Sequence, residues 1–280
     1  MKKLIAMILA TLMILSCFAA CAPKDDNADT TAAGTDAATN DTTAAADSDL
    51  AFVKNKGKIV VGITDYAPMD FKDENGEWTG FDAEFAQMFA EEIGVEIEFF
   101  VIADWSKKFY ELETKNIDVI WNGMTITDEV KLNTNCSNPY VVNAQVVVMK
   151  ADKVADYKDA ASMKDLSIAV ENGSAGQTAA ESTGSKTIIA VQDQAAALME
   201  VAAGTSDACV IDITMAYAMT GEGTNYADLA AGISLTSEEY GVGFRKDSDI
   251  TTVFNDFMAK VMQDGTLQTL ADKYDLTLVK

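Results

Sequence analysis

One α/β unit occurs twice in this chain of 280 residues, and the duplication limits the folds available to it. In each copy a helical segment is followed by a small turn, an aspartate, an apolar strand and a polar strand end. The copies are residues 112–122, LETKNIDVIWN, and residues 201–212, VAAGTSDACVID. A chain that builds the same unit twice is most simply two lobes that face each other. Apolar strands alternating with helices predict an open α/β sheet in each lobe.

The first copy leads into a turn that is suited to hold a ligand. Asn122 and Gly123 end the strand, and Thr127 or Asp128 is expected to cap a following helix. A helix N-terminus presents free backbone N–H groups and a partial positive charge, which favour a carboxylate. In open α/β sheets, ligands bind beyond the carboxyl ends of the strands. From this segment alone, a strand–turn–helix without a ligand is the alternative.

The pattern restarts after residue 150. Residues 166–170 predict a new buried strand, and the Gly-rich turn ENGSAG then opens a helix. Long apolar strands are predicted at 141–149 and 239–246, and they are well placed to be two crossings between the lobes. Residues 50–143 and 241–280 would then form lobe 1, and residues 144–240 would form lobe 2.

The N-terminal segment predicts export and lipid attachment. Two lysines precede an apolar run at residues 4–15, as in a lipoprotein signal peptide over residues 1–20. This run is shorter than the roughly 20 residues that span a bilayer. Cys21, which follows FAA, is the predicted lipidated residue, and Cys17 is the alternative.

Residues 21–49 are predicted to be a disordered tether. Beyond Cys21, Pro23 and Lys24 at its start, the segment is mostly Ala, Thr, Asp and Asn, which cannot bury enough apolar surface to fold. Together with the lipid, it would hold a folded domain at the outer face of the cell membrane. The predicted location is therefore extracytoplasmic, with the membrane contacted through the N-terminal lipid.

The charge and cysteine content exclude several classes of partner. The chain carries 21 basic and 44 acidic residues, a net charge of −23, and loss of the two signal-peptide lysines would bring it to −25. Such a surface repels nucleic acid, so no nucleic-acid partner is expected. With no histidine and no CxxC pair, neither a metal site nor a cofactor is expected. Cys136 and Cys209 are predicted to be unpaired, buried side chains.

Motifs along the chain, taken in order, resemble those of the bacterial extracellular solute-binding proteins of family 3, the receptors of polar amino-acid ABC transporters. The resemblance covers residues 52–278. It implies a type II periplasmic-binding-protein-like α/β fold, in which two Rossmann-like lobes are joined by two crossing strands and close on a small solute. The motifs are GKIVVGITDYAPMDF, WTGFDAEFAQMFA, NIDVIWNGMTIT, SNPYVVNAQVVV, ENGSAG, SDACVID, YGVGFRK and DGTLQTLADKY.

The resemblance also implies which residues bind the ligand. Two aromatic residues would lie against the solute, the turn after the first strand unit would seat a carboxylate, and the second-lobe turn would complete that seat. Asp212 matches the acid that pairs with an α-ammonium group, and two aspartates beside the aromatic residues would meet a distal amine or amide. The predicted ligand-binding residues are Asp65, Tyr66, Asp104, Trp105, Asn122, Gly123, Met124, Thr125, Ser174, Ala175 and Asp212.

One position departs from the family pattern. The family usually has an arginine three residues after the second Thr of the TxT turn, where it forms a bidentate pair with the ligand carboxylate, and here that position is Val130. Arg245, the only arginine of the chain, is expected to lie too far away, and Lys131 should point to a different face. Either backbone N–H groups at residues 125–128 hold a carboxylate unaided, or the ligand lacks one.

These features predict a receptor rather than an enzyme. With three candidate acids and no obvious cation in the cleft, the expected ligand is a small polar amino acid or a related amine, delivered by a monomeric protein to an ABC permease. One alternative is an enzyme on the same scaffold, resembling the cyclohexadienyl dehydratases. Such chemistry would require cationic groups in the cleft and a positioned acid. The other alternative is a free-standing sensory co-receptor.

Overall fold

The computed structural model describes residues 48–280, so the predicted signal peptide, the lipidation site at Cys21 or Cys17 and nearly all of the tether lie outside the described residues. The helices of this part of the chain are α1 (Asp49–Lys56), α2 (Phe81–Ile93), α3 (Lys108–Glu113), α4 (Asp128–Asn133), α5 (Ala175–Ser182), α6 (Gln194–Ala203), α7 (Ile213–Met219), α8 (Ile250–Gln263) and α9 (Thr266–Lys273). The strands are β1 (Lys58–Ile63), β2 (Phe71–Lys72), β3 (Trp78–Thr79), β4 (Glu96–Val101), β5 (Val119–Ile120), β6 (Asn135–Cys136), β7 (Val141–Asn143), β8 (Gln145–Lys150), β9 (Ser167–Glu171), β10 (Thr187–Val191), β11 (Ala208–Asp212), β12 (Leu229–Ser234), β13 (Glu238–Tyr240) and β14 (Gly243–Phe244).

Helix α1 extends the folded region to the end of the predicted tether. The Ser48 hydroxyl accepts a hydrogen bond from the Ala51 N–H at 3.0 Å, so Ser48 is the N-cap of α1. Asp249 fixes the same end, because its carboxylate accepts from the Leu50 N–H at 3.0 Å. Ser48, the N-cap, and Asp49, the first helical residue, are therefore part of the folded region rather than of the tether.

Two five-stranded sheets have equivalent strand orders, although their strands carry different numbers. The first sheet is β4-β1-β5-β14-β6, and the second sheet is β10-β9-β11-β8-β12. In each, three strands are parallel, the fourth runs antiparallel to them, and the fifth pairs antiparallel with the fourth. The two copies of the repeated unit form β5 and β11, which occupy the middle of their sheets. The duplication predicted two facing sheets, and their matching topology explains why the repeat is found in the sequence.

The two sheets are joined by a pair of short antiparallel strands. Strand β7 pairs with β13, with Val141 opposite Tyr240 and Asn143 opposite Glu238. The long strands predicted at 141–149 and 239–246 are each divided in two. The first is interrupted at Ala144, where the chain leaves the crossing pair and enters the second sheet. The second is interrupted at 241–242, where it enters the first sheet, so each crossing is three residues long.

An aromatic cluster fills the core beside the first sheet. The Trp121 indole is 1% exposed and meets Phe254 edge to face at a centroid distance of 4.9 Å and Phe85 at 5.1 Å. Trp121 is therefore a core residue, as its place in an apolar strand predicts. Cys136 and Cys209 are not bonded to each other, and Cys136 is only half-buried. Among residues 48–280 no helix has the length and apolar character needed to cross a membrane.

Candidate ligand-binding site

A cavity of about 470 Å³ lies at the strand ends of the two sheets. Its wall includes the residues that follow β5 in the first sheet and those that end β9 and β11 in the second. The carboxyl ends of these strands are where an open α/β sheet holds a ligand. The lining residues are Trp105, Lys108, Asn122, Gly123, Met124, Thr125, Thr127, Asp128, Glu129, Val130, Gln145, Glu171, Gly173, Ser174, Ala175, Thr178, Ala179, Ser182, Gln194, Asp212, Thr236 and Glu238.

The turn after β5 is held rigidly at the cavity. The Asn122 amide accepts from the Thr64 N–H at 2.8 Å and donates to the Thr64 hydroxyl at 2.7 Å. The Gly123 N–H donates to the buried Asp82 carboxylate at 2.6 Å. Gly123 has a φ of +55°, and a Cβ atom there would lie 2.5 Å from the Tyr66 ring, so only glycine fits. These contacts fix the backbone that leads to Thr125.

Helix α4 begins at this wall and brings acids rather than a cation. The Thr127 hydroxyl accepts from the Val130 N–H at 3.1 Å and caps the helix, as predicted. Asp128 and Glu129 form the first turn, and the buried Val130 side chain adds an apolar surface. The Ile126 and Thr127 N–H groups already donate to the carbonyls of Glu239 and Thr125, each at 3.0 Å. Two of the four N–H groups at residues 125–128 are therefore not free to hold a carboxylate.

Arg245 lies in a different part of the molecule. Its guanidinium donates to Asp49 at 2.9 Å and to the Ile117 carbonyl at 2.8 Å, and lies 3.4 Å from Asp118. Arg245 therefore neutralises a buried ion cluster, which agrees with the expectation that it cannot replace an arginine at position 130. Lys131 is exposed and is absent from the cavity wall.

Asp212 ends β11 at the opposite wall and is surrounded by amide donors. Its carboxylate accepts from Gln145 Nε2 at 2.7 Å and also from the amides of Asn143 and Gln194. Burial raises the pKa of Asp212 to about 7, and the nearby Glu238 carboxylate adds to this effect. The amides lower the pKa but do not offset the burial.

Glu238 on the crossing strand β13 links the two walls. One of its carboxylate oxygens accepts from the Thr125 hydroxyl at 2.8 Å, from Asn143 Nδ2 at 2.7 Å and from Gln145 Nε2 at 2.6 Å. Asn143 and Gln145 therefore donate to both Asp212 and Glu238. The sequence analysis missed Glu238, Gln145 and Gln194. For Gln145 the available signal was a polar residue inside the apolar run 141–149, because buried polar groups need partners.

A second buried acid and a lysine complete the wall. Glu171 ends β9 and is 3% exposed, and burial, with a further contribution from Asp212, raises its pKa well above the usual range. Lys108 is 4% exposed, and burial lowers its pKa. Its ammonium donates to the Gly173 carbonyl at 3.0 Å and lies 5.1 Å from the Trp105 ring centroid. The expectation that the cleft contains no obvious cation was wrong, because Lys108 lines the cavity. The signal was its spacing: Lys108 follows Trp105 by about one helical turn and so shares its face.

The structure brings most of the predicted residues to this cavity. Trp105, which is buried, is joined there by the turn after β5 and by the start of α5. The Ser174 hydroxyl caps α5 by accepting from the Gln177 N–H at 3.1 Å. Their ligand-binding roles stay predictions. The predicted residues that line the cavity are Trp105, Asn122, Gly123, Met124, Thr125, Ser174, Ala175 and Asp212.

Asp65, Tyr66 and Asp104 do not line the cavity. Asp65 is exposed. Tyr66 is buried, with its hydroxyl bonded to those of Thr214, at 2.6 Å, and Tyr240. Asp104 accepts from the Ser106 N–H and from Asn172 Nδ2, each at 3.1 Å. Tyr66 and Asp104 therefore contact residues that follow β11 and β9 of the second sheet, and a ligand role for these three residues remains a prediction only.

Residues 59–277 match the family model described as bacterial extracellular solute-binding proteins, family 3. The match spans most of the chain and includes both sheets. The chain belongs to this family. The predicted family is therefore confirmed for this solute-binding protein.

Comparison with individual proteins supports the same fold. The L-cystine-binding protein of Escherichia coli K12 is 29% identical over 225 residues, which cover 79% of this chain and 84% of that protein. An amino acid ABC transporter substrate-binding protein from Streptococcus pneumoniae, solved bound to L-arginine, is 28% identical with a TM-score of 0.74, and the match covers 83% of this chain and all of that one.

A third match concerns the enzyme alternative. An ancestral amino acid-binding protein described as a precursor of cyclohexadienyl dehydratase is 31% identical with a TM-score of 0.74, covering 81% of this chain and 99% of that one. These structures have the type II fold, so the predicted two-lobed architecture with two crossing strands is confirmed. All three similar proteins are described as binding proteins.

Proposed function

We propose that this solute-binding protein is a membrane-tethered receptor that captures a small polar amino acid or related amine and delivers it to an ABC permease. The observation that carries the proposal is the buried Asp212 carboxylate at the cavity wall. Asp212 is surrounded by neutral amide donors and ends a strand of the second sheet. A ligand ammonium group would pair with this carboxylate in a site shielded from water, where a charged hydrogen bond is strong.

The proposal assigns roles to the other walls of the cavity. Trp105 would lie against the ligand, and Thr125 and the α5 turn at Ser174 and Ala175 would hold its polar groups. Binding would stabilise the closed arrangement of lobe 1 (50–143 and 241–280) and lobe 2 (144–240). A permease would then recognise this arrangement.

Anchoring and location follow from the N-terminal sequence. A signal peptide over residues 1–20 and a lipid on Cys21 would leave a monomeric protein outside the cytoplasm, attached to the membrane by the tether. The descriptions of similar proteins support an extracytoplasmic location. The family consists of extracellular solute-binding proteins, and one similar structure is the substrate-binding protein of an ABC transporter.

We further propose that the protein is not an enzyme. Dehydratase chemistry needs a positioned acid and cations at the reacting groups. Lys108 is the single basic residue among the cavity-lining side chains of the described chain, and its ammonium is bonded to backbone carbonyls. Turnover of prephenate by the purified protein would contradict this proposal.

A thermal-shift screen of amino acids, amines and small peptides tests the receptor proposal. A ligand at 100 times its Kd should add roughly 2.7 kcal/mol to the free energy of unfolding and raise the melting temperature. Asp212→Asn should lose most of this shift, by about 2–4 kcal/mol of binding free energy, because a buried charged partner is removed. Its ligand-free melting temperature should fall only modestly, because the variant removes a buried charge but leaves one of the amide donors without an acceptor. A screen without any shift would contradict the receptor proposal.

A further inference from the structure

Acidic side chains line the cavity, and Lys108, the lysine in its wall, is already hydrogen-bonded to backbone carbonyls. Lys108 donates to the carbonyls of Gly173 and Trp105, at 3.0 and 3.4 Å. No other lysine or arginine of residues 48–280 is among the lining side chains. The five lining acids are Asp128, Glu129, Glu171, Asp212 and Glu238.

Glu171 is buried without a full set of partners. The residue is 3% exposed, and its Oε1 atom has no hydrogen-bond partner among the described residues. Buried carboxylates are normally paired or hydrogen-bonded, because leaving one unsatisfied costs stability. Glu171 lines the cavity, so the missing partner has room to come from a ligand.

Asp212 and Glu238 form a second acidic centre. They share the amides of Asn143 and Gln145 as donors, so their carboxylates lie in one network. Within the described chain neither forms an ion pair, and neither does Glu171. The neutral donors satisfy oxygen atoms of Asp212 and Glu238 but supply no positive charge to balance them.

The start of α4 is the part of the cavity wall that would receive a ligand carboxylate, and its residues disfavour a negatively charged group. Asp128 and Glu129 occupy the first turn of α4, and Val130 offers only an apolar surface. The N–H groups of Ile126 and Thr127 are bonded to other carbonyls. A carboxylate here would meet two like charges, and the lysine of the cavity wall, Lys108, is already bonded to backbone carbonyls and shared with Glu129 and Glu171.

We infer that the ligand is a small organic dication, an amine with two positively charged groups and no carboxylate. One group pairs with Asp212 and Glu238, and the other pairs with Glu171. Strands β9 and β11, which end at Glu171 and Asp212, are parallel neighbours, so the two centres lie at one edge of the second sheet. This inference rests on the receptor function proposed above and narrows its ligand class.

Calorimetric titration of the full chain with matched ligands tests this inference. Cadaverine and lysine, putrescine and ornithine, and agmatine and arginine differ within each pair only by the carboxylate. Each decarboxylated amine should bind at least about tenfold more tightly than its parent amino acid. Cadaverine should also bind at least about tenfold more tightly than pentylamine, which has one charge.

The outcomes separate this inference from the receptor proposal. If an amino acid binds as tightly as its decarboxylated partner, or pentylamine as tightly as cadaverine, the inference is wrong while the receptor function stands. If neither the amines nor the wider screen of amino acids and peptides gives binding, both are wrong.

Substitution of Glu171 tests the second charge centre. Glu171→Gln should weaken cadaverine binding at least about tenfold and change pentylamine binding less than about twofold, because only the diamine uses this carboxylate. Glu222→Gln removes an exposed acid outside the cavity wall and should change neither affinity. An equal loss for both amines in Glu171→Gln, or no loss for cadaverine, would overturn the assignment.

Discussion

At the scale of single residues, the buried carboxyl groups of Asp212 and Glu171 determine the chemistry of the site. Burial and Glu238 raise the pKa of Asp212 to about 7, and burial raises the pKa of Glu171 in the same direction. A cationic ligand stabilises the ionised form of each group, so binding lowers these pKa values and releases protons. The affinity for an amine should therefore depend on pH near neutrality.

We expect the Kd of an amine ligand to increase as the pH falls from 8 to 5.5. Below pH 7 the increase should approach about tenfold per pH unit for each proton that must be displaced. Titration calorimetry in two buffers with different ionisation enthalpies measures both the affinity and the protons released. A Kd that is constant between pH 5.5 and 8 would contradict the assignment of Asp212 as the ammonium partner.

The ligand-free protein should respond to pH in the opposite sense. An unfolded aspartate has a pKa of about 3.9, whereas Asp212 and Asp82 have values of about 7 in the folded chain. Between these values the native state holds more protons, so the free energy of unfolding falls as pH rises from about 4 to about 7. A melting curve without ligand therefore provides the control for the binding measurement.

At the scale of elements, the turn at Gly173 allows the two walls of the cavity to come into close contact. Gly173 follows β9 with a φ of +73°, and a Cβ atom there would lie 2.7 Å from the Ser106 Cα atom. Ser106 belongs to the short helical segment after β4, so this contact joins elements of the two sheets. The Lys108–Gly173 hydrogen bond lies at the same junction.

Gly173→Ala should weaken ligand binding at least about tenfold, because the new methyl group opposes closure of the junction. Gly184→Ala is the matched control: Gly184 has a φ of +77°, but a Cβ atom there meets nothing within 4 Å. Both variants carry a similar backbone strain of about 1–2 kcal/mol. Titration calorimetry should therefore give near wild-type affinity for Gly184→Ala. Equal affinities for the two variants would mean that this turn does not take part in closure.

Elements with strong local patterns were predictable from the sequence. The two copies of the repeated unit became β5 and β11, and Thr127 and Ser174 cap the helices α4 and α5. These features depend on alternation, capping and turn residues, which act over a few positions. The breaks in the crossing strands were not predicted, because an apolar run does not show where a strand changes sheets.

Parts of the site that depend on tertiary contacts were not predictable. Glu171 ends a strand of the second sheet, whereas Lys108 begins helix α3, which follows β4 of the first sheet, and the two meet the same cavity only after folding. Glu238 is one of two adjacent glutamates, and the sequence does not show which of them faces the amides of the crossing pair. Tyr66 was predicted to lie against the ligand, whereas the fold places its hydroxyl in a buried cluster with Thr214 and Tyr240.

At the scale of the whole molecule, two sheets of the same topology present complementary walls. Segments that follow strands of the first sheet supply apolar side chains at Trp105, Met124 and Val130 beside the acids of α4, and strands of the second sheet end at Glu171 and Asp212. The crossing strands β7 and β13 join them, and their residues Asn143 and Glu238 reach the site itself. A ligand between the walls would therefore affect the hinge directly, which is how binding would be coupled to the arrangement that a permease recognises.

A crystal structure of the protein with the tightest binder from the ligand screen tests this account most directly. The account predicts a ligand in the cavity between the two sheets, with a positively charged nitrogen about 2.7–3.2 Å from a carboxylate oxygen of Asp212 and the Trp105 ring against its carbon chain. A ligand bound elsewhere, or one in the cavity whose cationic group points away from Asp212, would contradict it.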